Sequence, residues 1–105
     1  MPIFYIQYQA VPTPGSEEFE TAGGAFVNCW VKVDSAHEAQ DQASAALKEG
    51  GWTILAVEEE CGEVTELYYS ENDEGLEHFR QAVVDGECYV FHQWPLEPQE
   101  GDNVH

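Results

Sequence analysis

A chain of 105 residues with three basic and twenty-one acidic side chains carries a formal charge of −18 when its four histidines are neutral. Such a surface repels phosphate backbones and anionic lipid, because both associations draw on Lys and Arg, so neither nucleic acid nor membrane is expected as a partner. The length fits one domain with one core, and five Tyr, five Phe and three Trp are more bulky apolar material than a disordered chain carries.

IFYIQY (3–8) is β-branched and aromatic and reads as a strand. The segment 10–24, AVPTPGSEEFETAGG, holds two Pro, three Gly and three Glu, which excludes helix or central strand and reads as a mobile loop. AFVNCWVKV (25–33) alternates, with Val27, Cys29, Val31 and Val33 on one side and Phe26, Asn28, Trp30 and Lys32 on the other. It is expected to be a central strand.

Ser35 followed by Glu38 has the form of a capping box. Ala36, Ala39, Ala43, Ala46 and Leu47 then fall at helical spacing, and Gly50 and Gly51 supply a stop. WTILAV (52–57) and EVTELYY (63–69) read as two strands joined by a hairpin through the acidic EEECG. Asn72 or Asp73 caps a second helix whose buried line is Leu76, Phe79 and Val83, with Gly86 after it. CYVFHQW (88–94) is the last strand, ended by Pro95, and residues 96–105 form a frayed acidic tail.

The order from residue 25 is strand, helix, strand, strand, helix, strand. That order predicts a ferredoxin-like α+β fold, a βαββαβ sandwich with both helices on one face of a four-stranded antiparallel sheet. The expected spatial order is 88–94, 25–33, 63–69, 52–57, with 3–8 as an additional N-terminal strand at an edge or on a partner subunit. Residues 1–95 then form a single domain with its core in 25–94.

In that plan the aliphatic side of strand 25–33 meets the helices, and the side with Phe26 and Trp30 needs a cover. A second subunit is the expected one, making Phe26 and Trp30 interface residues and the protein a homodimer; the 10–24 loop folding back is the alternative. Asn28, Trp30, Lys32 and His92 are the candidate ligand-binding residues on the same face, with Lys32 suited to a small anionic ligand. His92 is the one candidate catalytic acid or base, provided a carboxylate orients it.

Other pairings carry less. Cys88 and His92 lie four positions apart on one strand, about 13 Å, too far to exchange a proton directly. His37 with Asp41, and Glu74 with His78, each supply only two ligands, which do not make a zinc site. Glu58, Glu59, Glu60 and Glu63 read as a solvated hairpin tip. No metal and no cofactor is therefore expected. The odd, widely spaced Cys29, Cys61 and Cys88 are expected to be free thiols of a cytoplasmic protein, since no leader-like segment and no run of 18 apolar residues occurs.

Three roles are compatible with these residues. The sequence favours a non-enzymatic homodimeric accessory or protein-interaction domain. A small-molecule-binding module using the open sheet face is the first alternative, and a small enzyme working through His92 the second.

Overall fold

Ile3, Phe4, Ile6, Tyr8 and Ala10 are all buried, so the first strand is apolar on both of its faces. A strand of that kind belongs in the middle of a sheet with cover on each side. The structure, a computed structural model, describes residues 1–69 and 71–95. It places β1 (Ile3–Pro12) between β2 (Ala22–Lys32) and β3 (Trp52–Val64), with β4 (Glu87–Pro95) on the other side of β2. All three pairings are antiparallel, and the sheet order is β3-β1-β2-β4. The result is a small α+β fold with one open four-stranded antiparallel sheet and two helices.

The first helix, α1 (Ala36–Glu49), is capped as its sequence demands: Ser35 Oγ accepts from the Glu38 amide at 3.2 Å, and the Glu38 carboxylate accepts from the Asp34 amide. Its buried residues Ala39, Ala43 and Leu47 pack on Phe4, Ile6, Tyr8, Val27, Cys29 and Val31. The alanine stripe therefore covers the aliphatic side of β2, as expected. On this face Ala10 pairs with Ala25, both fully buried, and the small pair leaves room for Trp52 and Phe91 from the two edge strands to meet with ring centroids 5.3 Å apart.

The second helix, α2 (Asp73–Asp85), starts at Asn72, whose side chain accepts from the Gly75 amide at 3.0 Å, and ends at Gly86 in the left-handed conformation. Its Phe79 and Ala82 pack with Ile3, Trp30, Val64 and Tyr69. Ile3 and Trp30 are the sequence neighbours of Phe4 and Cys29, and successive strand residues point to opposite faces. The two helices therefore lie on opposite faces of the sheet.

The ferredoxin-like βαββαβ plan is thus corrected in three respects, the first being that the helices do not share one face. The strand expected to be surplus, β1, is central and takes the place assigned to 63–69. Segments 52–57 and 63–69 are not two strands with a hairpin: Trp52–Val64 is one edge strand, followed by a 3-10 turn over Glu66–Tyr69. Thirteen residues of β3 run beside ten of β1 because β3 carries an extra residue at each of three register shifts. The outer positions of 88–94 beside 25–33, and of 52–57 at the far edge, are as expected. The 10–24 segment is shorter as a loop than its composition suggested, since β1 runs to Pro12 and β2 begins at Ala22. The tail, 96–105, lies outside the described residues.

The cover for Trp30 also comes from an unexpected source. Trp30 is 3% exposed within a single chain, beneath α2 and Tyr69. Phe26 is 37% exposed and packs against Trp94 at 5.2 Å. The premise that called for a second subunit over both rings is thus not met at Trp30, because the face lacking α1 has a helix of its own.

Candidate functional site

Because α2 covers only part of its face, the sheet and the first turns of the helix form a half-open cavity of about 240 Å³. Each strand contributes: Tyr5 from β1, Asn28 and Trp30 from β2, Glu59 from β3 and His92 from β4. The register explains the grouping, since Tyr5 lies opposite Trp30 and Gln7 lies opposite both Asn28 and Glu59. Tyr68 and Tyr69 close one side from the 3-10 turn, and Glu74 and His78 the other from α2.

Trp30 is the hub of the aromatic packing. Its ring lies 5.1 Å from Tyr5, 5.2 Å from His78 and 6.3 Å from Tyr69, centroid to centroid. Its indole Nε1 donates to the Tyr69 hydroxyl at 2.7 Å, which gives the buried N–H its acceptor. The phenolic hydrogen of Tyr69 has no acceptor among the described residues. Burial, reinforced by nearby Tyr68 and Glu59, pushes the Tyr69 phenol up despite the opposing effect of the indole donor. Burial, then the Glu59 carboxylate, does the same to Tyr5. Both hydroxyls are therefore neutral donors at physiological pH.

Asn28 is held by two donors. Its Oδ1 accepts from the Tyr5 hydroxyl at 3.0 Å and from Gln7 Nε2 at 2.7 Å. The carbonyl end is fixed by these bonds, and the two N–H donors at the other end have no partner among the described residues and remain open to solvent. His78 is fixed as well, by its stacking on Trp30 and by a contact between Nδ1 and Cys88 Sγ at 3.8 Å. Burial, and then Asp85, pushes the Cys88 thiol up.

Of the four ligand-binding candidates, three line this cavity: Asn28, Trp30 and His92. Lys32 does not. Its ammonium donates to the Val83 carbonyl at 3.0 Å, in the last turn of α2, where the helix dipole favours a cation. With Lys32 turned to the helix end, the reason to expect a small anionic ligand is gone. His92 is exposed, and no carboxylate bonds to it among the described residues, so the orienting partner required of a catalytic acid or base is missing.

Cys29 and Cys88 cannot act as a pair. Cys29 lies opposite Tyr89, and Cys88 opposite Trp30, so the two sulfurs point to opposite faces and cannot meet. Cys29 is fully buried under α1, where burial pushes its thiol up to about 12. All three cysteines are free. No group of three or more His, Cys, Asp or Glu is arranged to hold a metal ion among the described residues.

The cavity residues that the sequence does not assign to a site are Tyr5, Glu59, Tyr68, Tyr69, Asn72, Glu74, Gly75 and His78. Tyr69 falls in a segment that reads as strand and Glu59 in one that reads as a hairpin tip, and no short motif marks either. His78 carries a signal, its position one turn beyond the buried Gly75, but that signal has meaning only when α2 is known to cover the Trp30 face.

No protein-family model, no curated protein and no solved structure matches this chain.

Proposed function

We propose that this protein is a small-molecule-binding module whose ligand occupies the cavity between the sheet and the first turns of α2. The supporting observation is the Tyr5–Gln7–Asn28 arrangement. Two donors converge on one carbonyl oxygen and thereby aim an unpartnered amide at a space walled by rings. Small-molecule sites use fixed polar groups of this kind to set a ligand's orientation. The volume, about 240 Å³, suits a small metabolite or one end of a larger one.

The test is a two-dimensional amide spectrum of the labelled protein against a library of small polar compounds. Binding at this cavity moves the Asn28 side-chain amide and the Trp30 indole signals together. Asn28→Ala removes one fixed polar contact and weakens the hits about tenfold, the scale of one hydrogen bond at the upper end of its usual range. If no compound moves those two signals, or if Asn28→Ala leaves the affinities unchanged, the reading is wrong.

A further inference from the structure

The charged side chains lining the cavity are Glu59 and Glu74, with no Lys or Arg among them. Nor is either carboxylate neutralised from elsewhere among the described residues. Lys32 is bonded to the Val83 carbonyl, Arg80 pairs with Glu66, and Lys48 sits in the last turn of α1, whose helix covers the opposite face. Two carboxylates with no Lys or Arg partner therefore stand at a cavity that also carries the rings of Tyr5, Trp30, Tyr68 and Tyr69, in a chain of net charge −18.

We infer that the ligand of this cavity is a small organic cation that also carries a hydrogen-bond acceptor, its ammonium group held by the Glu59 and Glu74 carboxylates and its acceptor facing the Asn28 amide. The inference rests on the proposed ligand-binding role and adds the chemical class. Three physical effects act in the same direction. The carboxylates attract the charge directly. The ring faces of Tyr5 and the exposed Tyr68 attract it through their quadrupoles. The field of the whole protein concentrates cations and depletes anions near the surface. A metal ion does not satisfy the same site, because the described residues offer no set of three ligands. An organic ammonium needs no such set: carboxylate, hydroxyl oxygen and ring face all serve it.

The experiment titrates the full chain with three probes of similar shape, n-butylammonium, n-butanol and n-butyrate, and follows the Trp30 indole and Asn28 amide signals. The ammonium probe is expected to move both signals and to bind at least about fivefold more tightly than the alcohol, the size of one exposed charge interaction, with butyrate weakest. Glu59→Gln is expected to weaken the ammonium about fivefold, and Glu74→Gln to weaken it by a similar factor. Glu49→Gln, an exposed position at the end of α1, removes the same unit of charge far from the cavity and is expected to leave affinity unchanged.

An alcohol that binds as tightly as the ammonium, a tighter butyrate, or equal effects of Glu49→Gln and Glu59→Gln overturns the cation assignment while the cavity remains a binding site. Silence of both signals with every probe overturns the assignment and the ligand-binding role together.

Discussion

Tyr69 is the side chain on which the floor of the cavity depends. It is buried, its ring packs 6.0 Å from Phe79, and its hydroxyl is the acceptor for the Trp30 indole. Replacing it with Phe keeps the ring and removes only that acceptor, so a buried N–H is left without a partner. The expected cost is about 1–3 kcal/mol, the penalty for an unsatisfied buried donor, read as a lower urea midpoint with unchanged slope. A loss below about 0.5 kcal/mol would mean that water replaces the phenol at the indole. At this scale the sequence is partly legible. Strand alternation alone puts Asn28, Trp30 and Lys32 on one side of β2, and all three are there. Alternation does not say how far along the strand the helix reaches, so it cannot separate Asn28, at the cavity, from Lys32, four positions on and at the helix end.

Between residue and molecule, the fit of α2 onto the sheet turns on Gly75 in its first turn. Glycine in a helix ordinarily costs about 0.5–1 kcal/mol relative to alanine, so Gly75→Ala in an isolated helix would be stabilising. Here a Cβ at that position would lie 2.6 Å from Cδ1 of the Tyr69 ring and 2.9 Å from Nδ2 of the capping Asn72. The ring cannot step aside, because it is packed between Phe79, Trp30 and Tyr68. Overpacking of this kind typically costs about 1–3 kcal/mol, so Gly75→Ala is expected to lower the thermal midpoint despite better helix propensity. A higher midpoint would show that α2 can shift off the sheet. The two helices are legible because caps and stops are local signals: Ser35 caps as read, and of Asn72 and Asp73 it is Asn72 that caps, whereas the buried line of α2 is Gly75, Phe79 and Ala82 and Val83 of the expected line is exposed. Strand placement is not. Ile3, Phe4, Ile6 and Tyr8 show apolar character on both faces, which marks a central strand, but a helix-free N-terminal segment gives no local reason to insert it between the others. The run Glu58, Glu59, Glu60 imitates a loop because charges are expected at turns. They are equally at home on an edge strand, where one side of the backbone and both ends of a bulge face water.

For the whole molecule, charge is the largest effect that packing does not balance. Three cations against twenty-one acidic residues leave most carboxylates without a partner, and among the described residues the one Arg or Lys ion pair, Arg80–Glu66, is exposed. At 10 mM salt the Debye length, about 30 Å, exceeds the radius of a domain this size, so every carboxylate feels most of the others. At 0.1 M it falls to about 10 Å, and only near neighbours, such as the Glu58–Glu60 run on β3, still interact. Self-repulsion is relaxed when the chain unfolds and expands, so it destabilises the compact state. Raising sodium chloride from about 10 to 300 mM is therefore expected to raise the thermal midpoint by about 5 °C, which for a domain of this length corresponds to about 1 kcal/mol. The same screening acts with opposite sign on the cavity: an ammonium ligand held by Glu59 and Glu74 must bind more weakly as the salt rises. Stability and cation affinity measured along one salt series should thus run in opposite directions. A midpoint that does not move would mean that the carboxylates are already compensated. An affinity that rises with salt would mean that the ligand is held by apolar contact alone.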